Sequence, residues 1–187
     1  MAMVGRSRPG LVVVLVLVAG CSASTPPDDT APPSASVAPS QQASPAPSAE
    51  ELAGQEALAA YRGMWADFVA AGTTSDWQSP DLGRHATGVA LTNLSRGLYA
   101  DSANGLVTRG APVLSPEVLS VEPAGAPARV VVTDCGDSTN WLKYREEDDS
   151  LATDGPGGRR LINAVVERQS DGSWKVSDYG VQELGSC

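Results

Sequence analysis

Residues 48–72 place apolar side chains at helical spacing. The segment opens with Ser48-Ala49-Glu50-Glu51, the pattern of a capping box, in which the first and fourth side chains accept hydrogen bonds from each other's backbone N–H groups. The spacing predicts a helix whose apolar face packs against a core, and Gly72 is expected to end this helix. Its apolar positions are Leu58, Tyr61, Met64, Trp65 and Phe68.

A second helical region follows a short break. We expect a turn or half-helix around Asp76-Trp77 that ends at Pro80, because the residue before a proline is turned away from helical conformation. A long helix is then predicted from about Thr87 to Ser102, closing at Asn104-Gly105. The residues it would bury are Leu91, Leu94 and Leu98.

Beyond residue 105 apolar residues alternate with polar ones, which is the period of a β-strand. Ser170-Asp171-Gly172, between the last two such segments, is a hairpin signal. Helices followed by hairpin-linked strands indicate an α+β domain, with N-terminal helices packed on a curved, mainly antiparallel sheet. The predicted strands are Leu106–Arg109, Val113–Val121, Arg129–Asp134, Asn140–Arg145, Leu161–Gln169 and Ser173–Gln182.

The N-terminus has the features of an export signal. Arg6 and Arg8 precede an apolar run from Leu11 to Ala19, which is too short to span a bilayer. The run ends in Val18-Ala19-Gly20-Cys21, which resembles the lipobox of bacterial lipoproteins. The resemblance implies a signal peptide over residues 1–20, cleavage before Cys21 and lipidation of that cysteine. The alternatives are an ordinary signal peptide cut elsewhere and an N-terminal anchor that stays uncut.

A lipidated Cys21 would hold the protein in the lipid bilayer, on the outer face of the cytoplasmic membrane, with partial release left open. Residues 21–50 would form a disordered tether, because they hold seven of the fourteen prolines and no aromatic residue. A proline motif that binds a partner is the alternative for this segment. The globular domain would occupy residues 51–187.

The composition and the motifs of the chain exclude several classes of function. The formal net charge is −9, which disfavours binding to nucleic acid through bulk electrostatics. Phosphate-binding loops, catalytic-serine elbows and zinc-protease motifs are all missing from the sequence. The single histidine, His85, rules out multi-histidine metal sites, so we expect no metal and no cofactor. We expect His85 to be a capping or surface residue, with a role as catalytic base the minor alternative.

Cys135 and Cys187 are the only cysteines beyond Cys21. A disulfide between them is the expected state of an exported protein, and a redox or metal-binding pair is the alternative. The bridge would stabilise the fold by roughly 4 kcal/mol on the chain-entropy model and hold the C-terminal tail beside the third strand.

The order of elements resembles the nuclear-transport-factor-2-like superfamily, especially secreted lipoproteins of high-GC Gram-positive bacteria. The resemblance covers about residues 55–187 and also rests on Ala60-Tyr61-Arg62-Gly63-Met64-Trp65, His85-Ala86-Thr87-Gly88 and Ser173-Trp174-Lys175-Val176. It implies a cone in which helices pack into the concave face of a bent sheet. A cystatin- or lumazine-like α+β domain is the alternative.

The same superfamily includes ketosteroid isomerases and polyketide cyclases, which use an acid or base in an apolar cone. Two carboxylates, Asp134 and Asp178, alternate in register with apolar residues of their predicted strands and would face such a cone if those faces point inward. Their hydrogen-bond donors would be Tyr61, Tyr99 or Tyr144. The interpretation we favour is that both aspartates are solvated at strand ends, which makes them weak catalytic candidates.

The acidic run Glu146-Glu147-Asp148-Asp149, followed by Asp154 and Gly155–Gly158, lacks the alternation of a calcium-binding loop. It is predicted to be a solvated hairpin loop. Nearby, Trp141 and Tyr144 are expected to pack in the core, with an exposed contact surface as the alternative.

Two functions compete on these observations. The favoured one is a non-catalytic protein of the cell envelope that binds a small apolar molecule, a wall fragment or a protein partner. The alternative is an isomerase- or cyclase-like enzyme that acts on a small apolar substrate through Asp134 or Asp178. Dimerisation through the sheet is left open.

Overall fold

The computed structural model describes residues 46–152 and 157–187. The predicted signal peptide, Cys21, most of the predicted tether, and Asp154 and Gly155 of the acidic loop lie outside these residues. In the described part, no helix is both long enough and apolar enough to cross a membrane.

The first helix, α1 (Ala49–Gly72), begins and ends where the sequence predicts. The Glu51 N–H donates to the Ser48 side-chain oxygen at 3.2 Å, and the Ser48 N–H donates to the Glu51 carboxylate at 2.6 Å. These bonds pair two backbone donors that the helix cannot pair itself, which confirms the capping box. The residues that α1 buries include Ala53, Ala57, Ala60, Tyr61, Met64, Trp65 and Asp67.

A short helix, α2 (Leu82–His85), follows α1 after a stretch of turns. A turn is found at residues 77–78, as expected, but the helical residues begin only after Pro80, where the prediction placed their end. Proline is compatible with the entrance to a helix because the first turn does not use its missing N–H.

The third helix, α3 (Gly88–Ala103), matches the predicted second long helix. It starts after Thr87, and the chain leaves it through Gly105, whose φ of 63° lies in the left-handed region that glycine tolerates. Its inner face buries Leu94 and Leu98 and partly buries Leu91.

In the part of the chain that the structure describes, six strands form two antiparallel sheets, which confirms the α+β class. One sheet has four strands in the order β2-β3-β5-β6, and the other pairs β1 with β4. The strands are β1 (Leu106–Arg109), β2 (Glu117–Glu122), β3 (Arg129–Asp137), β4 (Leu142–Arg145), β5 (Arg159–Arg168) and β6 (Trp174–Val181).

Two predicted strands begin two or more residues later than expected. The segment predicted from Val113 begins as a strand only at Glu117, because Pro116 has no N–H for the ladder and the Ser115 N–H donates to a side chain, the Asp134 carboxylate. Val113 retains a single bridge to Asp137. Likewise β4 begins two residues later than predicted, because the N–H of Trp141 closes a turn onto the carbonyl of Ser138.

The core lies between the helices and the inner face of the four-stranded sheet. The ladder shifts register between Val118 and Ser120 and again between Val165 and Val166. Such bulges bend a strand and increase its twist, as a sheet that curves around helices requires. The inner face contributes Val130, Val132, Ile162, Ala164, Val166, Trp174 and Val176.

Cys135 and Cys187 form a disulfide with their Cα atoms 5.9 Å apart, as predicted. The C-terminal tail lies along the start of β5, where the Gln182 N–H donates to the Leu161 carbonyl at 2.9 Å. The bridge therefore fixes the tail beside β3 and β5.

Candidate functional site

A cleft of about 350 Å³ opens between α1, the β1–β4 pair and one end of the larger sheet. Its volume falls within the range of small-molecule sites, roughly 300–1,000 Å³. Most of its lining is apolar. The residues that line it are Trp65, Phe68, Thr108, Pro112, Gly136, Ser138, Trp141, Lys143, Arg160, Ile162, Tyr179 and Val181.

Four aromatic side chains form the wall of this cleft. Trp65, from α1, is at the centre, with its ring centroid 5.8 Å from that of Trp141 and 5.9 Å from that of Tyr179, both edge-to-face. Phe68 is 5.6 Å from Trp141. Edge-to-face contacts hold the rings at fixed angles, so the wall is preorganised. The sequence predicted Trp65 and Phe68 on the inner helix face and Trp141 in the core, but it did not select Tyr179.

A bulge in β6 explains why Tyr179 was missed. Val165 pairs with Asp178 while the next residue, Val166, pairs with Val176, so Ser177 is the extra residue. Before the bulge even-numbered residues of β6 point inward, and after it Tyr179 does so. Asp178 is therefore exposed on the outer face, which confirms the favoured interpretation of a solvated carboxylate for this residue, and the alternative that it shares the inner face of Val176 is wrong.

Two indole nitrogens of the wall are buried without a hydrogen-bond partner among the described residues: Nε1 of Trp65 and Nε1 of Trp141. The Thr108 hydroxyl, close to Gly72 of α1, is also buried without a hydrogen-bond partner among these residues. Buried polar groups are nearly always paired, and leaving one unpaired costs about 1–3 kcal/mol. A fourth such group, Nε1 of Trp174, lies away from the cleft, so unpaired groups of this kind do not by themselves mark a binding site.

Among the described residues, the polar side chains that line the cleft include two cations, Lys143 and Arg160, and no carboxylate. The Lys143 ammonium is paired with the Asp101 carboxylate. One Arg160 nitrogen, Nη1, donates to the Gln182 carbonyl at 3.0 Å. Both side chains are partly exposed, so their charges lie at the mouth while Trp65, only 5% exposed, lies deep.

Asp134 is buried, with 2% of its surface exposed, so the favoured interpretation of a solvated carboxylate is wrong for this residue. The Tyr61 hydroxyl donates to one carboxylate oxygen at 2.9 Å, and the Ser115 N–H donates to the other at 2.7 Å. Burial and the charge of Asp134 raise the pKa of Tyr61. Asp134 does not line the cleft. Of the three tyrosines considered as donors, only Tyr61 reaches an aspartate in the described part of the chain.

His85, at the end of α2, lies apart from the cleft. Its Nδ1 is 2.7 Å from one oxygen of the buried Asp67, whose other oxygen accepts a hydrogen bond from Arg84 at 2.5 Å. This ion-paired cluster ties α2 to α1. The sequence did not select Asp67, since eighteen residues separate it from His85 and no local pattern links the two.

The acidic run is solvated, as predicted: Glu146, Glu147, Asp148 and Asp149 are all exposed. Asp149 pairs with Arg109 at 3.1 Å. Within residues 46–152 and 157–187, no cluster of acidic, histidine or cysteine side chains is arranged to hold a metal ion.

No model of a known protein family matches this sequence, and the curated proteins contain no match either. Solved structures similar to it include a ketosteroid isomerase-like protein from Erwinia carotovora atroseptica, at 13% identity and a TM-score of 0.40, covering 73% of this chain and 98% of that one. A protein from Catenulispora acidiphila has 15% identity and a TM-score of 0.43, over 68% of this chain and 92% of that one. The intermembrane-space region of the chloroplast protein ARC6 has 16% identity and a TM-score of 0.37, over 64% and 95%. These scores are too low to transfer an activity, and the fold class rests on the helices and strands of this chain.

Proposed function

We propose that this domain is a non-catalytic binding module that holds a small, mainly apolar molecule in the aromatic cleft, and that a lipid on Cys21 tethers it to the outer face of the cytoplasmic membrane. The observation that carries the proposal is the cleft itself: four aromatic rings in fixed contacts surround a volume suited to a small molecule.

The positions of the carboxylates favour binding over catalysis. An isomerase or cyclase of the type considered above needs an acid or base in contact with its substrate. Asp134 has both oxygens occupied and does not line the cleft, and Asp178 faces outward. Neither weak catalytic candidate is therefore placed to act on a molecule in the cleft.

The tether is proposed from the lipobox-like segment ending at Cys21. Replacing Cys21 by serine removes the only thiol that can carry the lipid there. Producing cells fed a tagged fatty acid should therefore label the parent protein and not the Cys21→Ser variant. Equal labelling of both, or no label on the parent, would contradict lipidation of Cys21.

Binding can be tested with N-phenylnaphthylamine, a neutral aromatic dye whose emission rises in apolar surroundings. The protein for this test is the mature chain with serine in place of Cys21, exported behind an ordinary signal peptide so that the disulfide forms. Val181 lines the cleft at its exposed side, with 43% of its surface accessible, so Val181→Trp should fill the entrance without disturbing the core.

The matched control is Leu119→Trp, on the opposite edge strand of the same sheet and 65% exposed. The parent and Leu119→Trp should bind the dye saturably, and Val181→Trp should lose at least most of that binding. No saturable binding by the parent, or equal binding by Val181→Trp, would overturn the proposal.

A further inference from the structure

The polar groups of the cleft are biased toward hydrogen-bond donors. An indole N–H can only donate, and ammonium and guanidinium groups have no acceptor. Lys143 and Arg160 are of these kinds and reach the open mouth, whereas the indole N–H groups of Trp65 and Trp141 are enclosed and expose almost no surface. The Tyr179 hydroxyl can donate as well as accept. A ligand that complements this set must bring acceptors.

The charge at the mouth is positive although the whole chain has a net charge of −9. Asp101 neutralises Lys143. Arg160 has five N–H donors, and the bond from its Nη1 to the Gln182 carbonyl uses only one of them. Arg160 is therefore the better placed of the two cations to bind an acidic group, which the fork of a guanidinium can hold at two points.

Aromatic walls also occur in sites for organic cations, where ring faces attract positive charge. Two observations disfavour a cation here. Arg160 would repel it, and among the described residues no carboxylate lines the cleft to neutralise it.

We infer that the natural ligand is a small amphipathic organic anion, whose flat apolar body lies against Trp65, Phe68 and Trp141 while its acidic group binds Arg160 at the mouth. This inference rests on the proposed binding function and adds the chemical class of the ligand. The disulfide contributes indirectly, since the tail that it fixes carries the Gln182 carbonyl that orients the Arg160 side chain.

Two dyes with the same ring system separate the contribution of an anionic group to binding from that of the apolar rings. Anilinonaphthalene sulfonate carries an anionic group, and N-phenylnaphthylamine lacks it. Arg160→Gln should weaken binding of the sulfonate about tenfold, the effect of one charge-assisted hydrogen bond at a partly exposed site, and change binding of the neutral dye less than about twofold. Added salt should weaken only the sulfonate, because ions screen exposed charges.

The control is Arg168→Gln, at the other end of the same strand β5, which removes an equal charge away from the cleft. It should leave both affinities unchanged. If Arg160→Gln weakens both dyes equally, or neither, the inferred anionic ligand is overturned while the binding function stands. If neither dye binds the parent saturably, the binding function itself fails. Near-ultraviolet circular dichroism must show that every variant remains folded, since the sulfonate also binds loosely packed states.

Discussion

Two adjacent regions of the interface between α1 and β3 differ in whether their buried polar groups have hydrogen-bond partners. In the sealed region, Tyr61 and Asp134 bond each other in the dry core, and Ser115 completes the set. In the aromatic cleft, one helical turn and two strand residues further along, Trp65 and Gly136 occupy the equivalent positions, and the indole N–H of Trp65 has no partner in the described chain.

The difference shows that a buried acidic residue is not by itself a sign of catalysis. Asp134 is the most deeply buried carboxylate, yet every contact that it makes serves to close the fold. The cleft, as the described residues line it, has no buried charge, but it has open space and a partly exposed guanidinium at its mouth. The absence of a side chain at Gly136 helps to provide the space, because a Cβ there would lie 2.8 Å from the Cδ1 atom of Ile162.

The largest expected effect comes from removing the disulfide, which fixes the tail that carries Gln182. Replacing Cys135 and Cys187 by serine should lower the free energy of unfolding by about 4 kcal/mol, because the unfolded chain regains the entropy of a long open loop. Urea unfolding of the double variant and the parent measures the loss. Binding of the sulfonate dye should also weaken, since the tail that orients Arg160 is released. Unchanged stability would show that the bridge does not constrain the unfolded chain.

The next effect tests the sealed region. Asp134→Ala should destabilise the fold by about 3 kcal/mol, because the Tyr61 hydroxyl and the Ser115 N–H lose their buried acceptor. The matched control is Asp178→Ala, which removes an exposed carboxylate and should stay within about 0.5 kcal/mol of the parent. Equal losses in the two variants would contradict the assignment of the inner face. Folded Asp134→Ala should bind the neutral dye as the parent does.

Alkaline titration compares the tyrosines of the two regions. Burial, together with the charge of Asp134, raises the pKa of Tyr61, and burial raises that of Tyr179. Above about pH 10 the unfolded chain loses phenolic protons that the folded chain keeps. The stabilisation that is present below that pH is therefore lost as pH rises, and the free energy of unfolding falls by about 1.4 kcal/mol per pH unit for each tyrosine.

Urea unfolding at several alkaline pH values tests this slope, with phenolate absorbance as the direct measure of each titration. Tyr61→Phe and Tyr179→Phe should each reduce the slope of the free energy of unfolding against pH by the contribution of the phenol that the variant lacks. A slope that is the same in the parent and in both variants would show that the two phenols titrate alike in the folded and unfolded states.

The smallest stability change is expected for Gly136→Ala, which alters only the cleft. The new methyl group meets the flexible end of Ile162, so the free energy of unfolding should change by less than about 1 kcal/mol. Binding of both dyes should nevertheless weaken, because the methyl group and the displaced Ile162 reduce the cleft. A large loss of stability with unaltered dye binding would show that Gly136 serves the fold and not the cleft, which contradicts the contrast between the two regions.

Local features of the chain were predicted well. The capping box at Ser48, the helix end at Asn104-Gly105 and the hairpin at Ser170-Asp171-Gly172 depend on interactions among residues a few positions apart. The α+β class followed from the change of hydrophobic period after residue 105. The disulfide followed from counting, because only two cysteines lie beyond Cys21.

The composition of the site could not be predicted in the same way. Strict alternation along β6 gave the wrong face for Asp178, because one extra residue at Ser177 reverses every later side chain and no local motif marks it. The partners of Asp134 and Asp67 lie on other elements, so their burial became apparent only when those elements were packed together.

The sequence by itself therefore determined the elements, their order, the fold class and the cysteine pair, since these follow from local periodicity, turn chemistry and composition. Only the tertiary structure decided which aspartate is buried, that Tyr179 joins Trp65 and Trp141, and that Arg160 stands at the mouth of their cleft. The physical reason is that burial, pairing and open volume are properties of contacts between distant segments, and strand register and helix packing fix these contacts.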